Sequence, residues 1–258
     1  MVPPLCKYAG AALVEIAIAL FLLTLLFGAI ATPLNTQVFA RKTEDTRVLL
    51  DKAREALLGY AAAHGYLPCP ADAASGGREP ATTNHAAGTC ATYHGYLPGA
   101  LLGLQAIDAQ GYAIDGWAGS DNRLRYAVAH YTVASVPLPF TRINGMRTAG
   151  IASLADSGLS LFHVCSSATG VVANASCGTA VTLVSTTPVV VWSSGENAAT
   201  GAASLDEAQN PHSLGGSADR IFVSRLRGVP AVGEFDDQLT WIPMTTLISR
   251  LVASGQLP

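Results

Sequence analysis

The sequence has few charged residues and lacks the short motifs that mark common enzyme sites. Of its 258 residues, 15 are Lys or Arg and 18 are Asp or Glu, a charged share of 13%, against roughly 25% in an average soluble domain. The net charge of −3 gives no positive field for phosphates, so we expect no nucleic-acid partner. The six histidines have no HExxH spacing, and no GxSxG or phosphate-binding glycine motif occurs. We therefore predict that the protein is not an enzyme.

One long hydrophobic run stands near the N-terminus. Residues 11–32, AALVEIAIALFLLTLLFGAIAT, are apolar except for Glu15 and two threonines, and Pro33 closes the run. A helix of this length reaches across a hydrocarbon core of about 30 Å, so residues 11–33 are predicted to be a transmembrane and polymerisation helix. Lys7 is the only charge ahead of the run. The positive-inside rule then predicts a single-pass inner-membrane protein with a cytoplasmic N-terminus and a periplasmic C-terminal domain.

The residues around this run carry a resemblance. The leader at 1–10, MVPPLCKYAG, ends in Gly10, the apolar run follows at once, and Glu15 lies five residues past the glycine. This arrangement resembles the prepilin-type cleavage and methylation signal of type IV pilins and type II secretion pseudopilins. The resemblance implies that a prepilin peptidase cuts after Gly10 and that Ala11 becomes the N-terminus, open to methylation. The family more often has Phe and Thr where Ala11 and Ala12 stand.

Glu15 has a physical reason to act in assembly. A carboxylate inside a bilayer costs several kcal/mol unless a cation compensates it. Cutting after Gly10 creates an α-amino group, and the resemblance implies that Glu15 meets that group on a neighbouring subunit. The alternative is a plain signal anchor in which Glu15 is protonated or reaches the interface.

The rest of the chain predicts a long helix over a sheet. Residues 34–64 form the amphipathic half of the helix, since Leu50, Ala53, Leu57 and Ala61 recur three or four residues apart; a hinge at Pro33 between two helices is the alternative. The β-branched or alternating runs at 124–134, 159–164, 179–185, 188–192 and 220–226 predict strands. A short closing helix is expected from Leu239. The predicted fold class is α+β and pilin-like, with one antiparallel sheet, large loops and a β-rich periplasmic domain at 65–258.

Cys6 lies in the leader, which leaves four cysteines beyond the hydrophobic run. Cys69, Cys90, Cys165 and Cys177 form an even set, which in an oxidising compartment favours disulfides. Three pairings are open, and we choose Cys69 with Cys90 and Cys165 with Cys177 because each partner is the nearest. A zinc site is the alternative, but the set lacks C-x-x-C spacing.

A calcium site is a further candidate, because major secretion pseudopilins carry calcium in a C-terminal loop. The loop after Trp192 offers oxygen donors of the kind that calcium prefers, at Glu196, Asn197, Asp206, Glu207, Asn210 and Asp219. Solvated or capping side chains are the alternative. Asp236 and Asp237 are interpreted as caps of the closing helix, with a contact to a neighbouring subunit as the alternative.

Further fragments resemble large prepilin-type proteins, among them GYAIDGWAGSDNRLRYAV and FDDQLTWI. The predicted function is a structural subunit, a minor pilin or pseudopilin of a type II secretion or type IV pilus filament. Its partners are other pilins or pseudopilins, the prepilin peptidase and an inner-membrane assembly platform. The alternative is a tip adhesin or substrate-recognition pilin whose loops at 71–93 and 196–217 contact a ligand. A membrane-anchored hydrolase would need a Ser, His and acid set that the sequence does not reveal.

Overall fold

The computed structural model describes residues 9–119, 121–156, 158–202, 204–210, 219–227 and 233–258, and within its first helix the side chains of 9–12 and 26–35 lie outside that description. The chain divides into two compact units, residues 1–44 and 45–258. The predicted leader at 1–10 and the predicted cleavage residues Gly10 and Ala11 lie outside the residues whose side chains the structure describes. The larger unit holds both sheets and all of the elements after the first helix.

The first helix, α1, runs from Ala9 to His64. From Asp45 onward its buried apolar side chains are Leu50, Ala53, Leu57, Leu58 and Ala61, and this spacing places them on one stripe that joins the core. Gly65 ends the helix with φ of 78°, a left-handed conformation that glycine adopts without steric cost. Its amide donates a hydrogen bond of 2.8 Å to the carbonyl of Ala61. The predicted amphipathic pattern of this half of the helix agrees with the burial of those side chains.

The predicted transmembrane segment at 11–33 is wrong. Over the residues that the structure describes, none of the helices combines the length and the apolar character needed to cross a membrane. This finding corrects the prediction of a single-pass inner-membrane protein with a cytoplasmic N-terminus and a periplasmic domain.

Two sheets make up the body of the larger unit. The first has four antiparallel strands in the order β1 (His94–Tyr96), β2 (Arg125–Val128), β5 (Val189–Ser193) and β7 (Gln238–Ile242). The second has the order β4 (Thr182–Thr187), β3 (Phe162–Cys165) and β6 (Ile221–Val223). In the second sheet β3 is antiparallel to β4 but parallel to β6, so that sheet is mixed.

Four short helices complete the described elements. They are α2 (Gly145–Ala149), α3 (Ile151–Leu154), α4 (Leu205–Gln209) and α5 (Met244–Ala253). Leu247 and Leu251 of α5 are buried in the same core as the α1 stripe, and Arg250 donates a hydrogen bond of 2.7 Å to Glu55 of α1. The core therefore lies between α1, α5 and the first sheet, where strand residues such as Tyr126 and Val190 are also buried.

The predicted fold class is wrong in two respects, although the chain is α+β. The membrane half of the long helix is not supported, as stated above. The single antiparallel sheet is replaced by two sheets, one of them mixed. The closing helix also begins later than expected, because Leu239, Trp241 and Ile242 belong to β7 and α5 starts at Met244.

Both predicted disulfides are confirmed. Cys69 is bonded to Cys90 and Cys165 to Cys177, each with a Cα–Cα distance of 5.5 Å. The first bond closes the irregular loop after α1, and the second closes the loop that follows β3. Each pairing uses the cysteine nearest in sequence, as expected from short loop closure.

Candidate functional site

Three buried carboxylates meet between α4 and the start of β7. Glu207 in α4 is completely buried, and Asp236 and Asp237 are 7% and 5% exposed. One oxygen from each of the three lies within 4.8 Å of the others. We refer to Glu207, Asp236 and Asp237 as the acidic cluster. Buried carboxylates this close repel one another unless protons or a cation compensate them.

Backbone and amide groups hold the acidic cluster in place. Asp236 Oδ2 accepts hydrogen bonds from the amides of Glu196 at 2.7 Å and Asn197 at 3.2 Å. Glu207 Oε1 accepts the amide of Asp236 at 2.9 Å, and Glu207 Oε2 accepts Asn197 Nδ2 at 3.0 Å. Asn210 Nδ2 donates a hydrogen bond of 2.7 Å to Asp237 Oδ2. Each carboxylate is therefore fixed by at least one donor before any ligand is considered.

Some oxygens of the cluster have no hydrogen-bond partner. Among the described residues, Asp236 Oδ1 and Asp237 Oδ1 are buried and unpartnered, and so is the amide oxygen of Asn197. Leaving a buried acceptor unsatisfied costs about 1–3 kcal/mol, and more if it is charged. The site is therefore rich in acceptors and short of donors, which is the chemistry of a cation site rather than of an anion site.

Burial changes the protonation of these carboxyl groups. It raises the pKa of Asp236 to about 6, and the adjacent carboxylate of Glu207 raises it as well. Burial also raises the pKa of Asp237 well above its usual range, again assisted by Glu207 and by Asp236. Both carboxyl groups therefore keep a proton at higher pH than an exposed aspartate does.

A cleft of about 240 Å³ leads from solvent to Asp237. It lies between α1 and the start of β7, and its walls include Arg47, Asp51 and Thr240. All of these residues belong to the larger unit.

The close approach at the cluster requires glycine at position 195. Gly195 has φ of 66°, and a Cβ placed there would lie 2.3 Å from Asp236 Oδ1. Its carbonyl accepts a hydrogen bond of 2.6 Å from Asn122 Nδ2, and its amide donates a hydrogen bond of 3.1 Å to Ser193 Oγ. The turn after β5 therefore packs directly on the carboxylate of Asp236.

The structure brings together only part of the calcium set predicted from sequence. Glu207 belongs to the acidic cluster, and Asn197 and Asn210 contact it. Asn210 Oδ1 is already used by the amide of Val223 at 2.8 Å, so its role is to position Asp237.

The remaining three predicted donors lie elsewhere. Asp206 pairs with Arg225 at 2.6 Å, Asp219 accepts the amide of Ile221 at 2.9 Å, and the Glu196 side chain is exposed, 3.9 Å from Arg227. These contacts are structural and do not converge on one ion.

The prediction that Asp236 and Asp237 cap the closing helix is wrong. The residue before α5 is Pro243, and β7 separates the two aspartates from that helix. Sequence reasoning assigned them to the wrong element because the strand LTWI was interpreted as the start of a helix. The alternation of LTWI between apolar and polar residues was the available signal for a strand.

A second possible metal group contains Cys69, Glu79 and His85. Cys69 is bonded to Cys90, so its sulfur does not offer a thiolate. Glu79 and His85 instead form an ion pair of 2.9 Å beside the disulfide. The zinc alternative for the cysteines is therefore not supported by the bonding of this pair.

The assembly residue predicted from sequence, Glu15, lies on the described part of α1. Around it the helix exposes large apolar side chains, from Leu23 at 46% to Leu13 at 71%. The exposed side chains are Leu13, Val14, Ile16, Ile18, Leu20, Phe21, Leu22, Leu23 and Leu25. They lie on every side of the helix rather than on one stripe.

No protein-family model matches the chain, and no curated protein or solved structure matches it significantly. The resemblance to pilins and pseudopilins rests on the residues quoted above and stays a prediction.

Proposed function

We propose that the chain is a filament subunit of the pilin or pseudopilin type, assembled through the N-terminal half of α1. The observation that carries this proposal is the exposed apolar surface from Leu13 to Leu25. A helix that is apolar all round is stable only where other apolar surface covers it. The same segments of other copies, or of related subunits, supply such surface. The fragment that resembles a prepilin signal stands at the start of this segment.

Glu15 gives the assembly its register. It is the only charged residue between Ala11 and Arg41, so it must find a cation wherever the apolar faces meet. Cleavage after Gly10 supplies one, the α-amino group of Ala11 on an adjacent subunit. Apolar packing holds the helices together in this proposal, and the ion pair selects one of several sliding positions.

The first test is processing. The chain is expressed with and without a prepilin peptidase, and its N-terminal residue is determined by mass spectrometry. We expect the wild type to begin at Ala11 only with the peptidase and a Gly10→Ala variant to keep Met1. A wild-type chain that keeps its leader with an active peptidase contradicts the proposal.

The second test is assembly. Chains carrying Ile16→Cys are oxidised under mild conditions, and the yield of disulfide-linked dimers is measured. The native cysteines beyond the leader do not interfere, because they are already paired with one another. We expect Glu15→Gln to lower the dimer yield about tenfold, equivalent to ~1.4 kcal/mol. Glu55→Gln is the matched control, because Glu55 lies on the same helix, is exposed, and pairs with Arg250. Equal loss in both variants contradicts a specific role of Glu15.

We also propose that the acidic cluster binds calcium and stabilises the larger unit, residues 45–258. Glu207, Asp236 and Asp237 would hold the ion, with the free amide oxygen of Asn197 nearby. Calcium would supply positive charge to compensate the three carboxylates. A ligand present at about a hundred times its dissociation constant adds roughly 2.7 kcal/mol to the free energy of unfolding. We therefore expect the melting temperature of chelator-treated protein to rise by roughly 5–10 °C when calcium is added. No change in melting temperature contradicts the site.

A further inference from the structure

His94 lies between the two sheets. It is the first residue of β1 and is 2% exposed. Its ring centroid is 5.6 Å from that of Phe162 in β3 and 6.1 Å from that of Phe222 in β6. Trp192 of β5 also contacts Phe222, at 5.2 Å. The contact between the sheets is therefore an aromatic layer with an imidazole in it.

The imidazole of His94 is poorly prepared to carry a charge. One hydrogen bond joins it to the backbone of Asp219. Among the described residues its Nε2 is buried and has no hydrogen-bond partner. A cation placed between two phenylalanine rings without a carboxylate loses most of its hydration, so the neutral ring is the form that fits the closed contact.

Other titratable groups surround this contact. His130, after β2, stacks on Tyr93 at 4.7 Å and lies 4.6 Å from Tyr131. His163 of β3 is buried, with Nε2 3.2 Å from Ser160 Oγ. Arg220, ahead of β6, stacks on the ring of Tyr131 at 3.6 Å.

The charge balance on these elements changes with protonation. At neutral pH the described charged groups next to β6 on this side are Arg220 and Asp219. Protonation of His94 and His130 would add two cations to Arg220 against the described carboxylate of Asp219; His163, next to Phe162 in β3, lies on the other face of the second sheet. Like charges repel strongly in a poorly hydrated layer.

We propose that the contact between the two sheets is a pH-sensitive latch, which opens locally in acid when His94 and its neighbours take up protons. The opening separates β1 from β3 and β6 and exposes Phe162 and Phe222. The first sheet keeps its strand pairing, whereas the pairing of β3 with β6, uncovered by the first sheet, loosens and exchanges its amides. The only chemical step is the uptake of protons from solvent.

The sign of the pH dependence follows from burial. Burial, with a smaller effect from His130, lowers the pKa of His94 to about 4. Burial and the nearby Arg220 lower the pKa of His130 and of His163. In the open form each ring regains a pKa near 6.5, so the open form binds more protons as the pH falls from about 6.5 to about 4. The open fraction is then expected to grow by up to about tenfold for each pH unit and each histidine.

Hydrogen exchange of the full chain tests this proposal. Protection of Phe162–Cys165 and Ile221–Val223 is compared at pH 7 and pH 4.5, and the pairing of Val189–Ser193 with Gln238–Ile242 is the internal reference. We expect the first two segments to lose protection relative to the reference by at least about tenfold. Equal protection of both sheets at the two pH values overturns the proposal.

Variants assign the effect to His94. His94→Phe keeps an aromatic ring and removes the titration, so the acid-dependent loss should shrink; His64→Phe, at the exposed end of α1, should behave as the wild type. A His94→Phe chain that folds and still loses protection in full contradicts the proposal. If that variant fails to fold, an NMR titration of the His94 ring in the wild type decides, since a pKa near 6.5 there removes the basis of the latch.

Discussion

The amide of Asp236 donates a hydrogen bond of 2.9 Å to Glu207 Oε1, so a strand-leading aspartate and a helical glutamate 29 residues apart share one buried corner. The same bond places the side chain of Asp236 beside that of Glu207. The acidic cluster is therefore fixed by the backbone and does not form by chance contact of mobile side chains.

Asp237→Asn should abolish the calcium-dependent rise in melting temperature. The amide keeps the shape of the carboxylate but removes a charge that the ion needs. In chelator, the same variant should be no less stable than the wild type, because a buried carboxylate with one unpartnered oxygen is removed. Thermal unfolding with and without calcium measures both effects.

Asp51→Asn is the control for that variant. Asp51 lines the same cleft as Asp237 but is exposed and pairs with Arg47 at 3.7 Å. It should keep the full response to calcium. If both variants lose the response equally, calcium acts through general charge screening and not through the acidic cluster.

Gly195→Ala should destabilise the larger unit more than Gly201→Ala. Both glycines have positive φ, 66° and 84°, but only at position 195 does an added Cβ meet Asp236, whereas at 201 nothing lies within 4 Å. We expect Gly201→Ala to lower the free energy of unfolding by about 1–2 kcal/mol through backbone strain alone. Gly195→Ala should lower it by at least about 1 kcal/mol more, because the added Cβ overpacks the turn. Urea denaturation of the two variants gives the difference. Similar losses would show that the turn has room to move away from Asp236.

Each disulfide should contribute about 3 kcal/mol to the free energy of unfolding. The bonds span 21 and 12 residues, and in the chain-entropy model loops of these lengths differ by only about 0.5 kcal/mol. Cys69→Ser/Cys90→Ser and Cys165→Ser/Cys177→Ser chains should therefore lose similar stability in urea. Alkylation of unreduced wild-type protein is the accompanying measurement, and free thiols at these four positions would contradict the pairing.

Leu57→Ala should lower the free energy of unfolding by about 2.7–5 kcal/mol, the range for a leucine truncated to alanine in a packed core. Leu57 is fully buried on the α1 stripe, whereas Val48 on the same helix is exposed. Val48→Ala should change the free energy of unfolding by less than about 0.5 kcal/mol. A small effect at Leu57 would mean that this part of α1 does not pack on the sheet in solution.

The sequence predicted those features that depend on neighbours along the chain. Five strands were found from alternation and β-branched residues, and the disulfides from the nearest cysteines. β1 was missed because its three residues are too short for a periodic signal. Asp236 and Asp237 were misassigned because their place beside Glu207 depends on β7 pairing with β5. No local pattern contains that pairing, so the calcium set was drawn from residues close in sequence instead.

The parallel pairing of β3 with β6 has a consequence for the order of folding. It joins His163 to Ile221, 58 residues apart (221 − 163), and a pairing of such separation pays its loop-closure entropy before it gains contacts. Within the second sheet, the antiparallel pair of β3 and β4 has a much shorter closure. We expect β6 to join late. Asn210 is hydrogen-bonded to both Val223 of β6 and Asp237. The acidic cluster should therefore be completed only in the final stage of folding. Calcium bound there should then slow unfolding more than it speeds refolding.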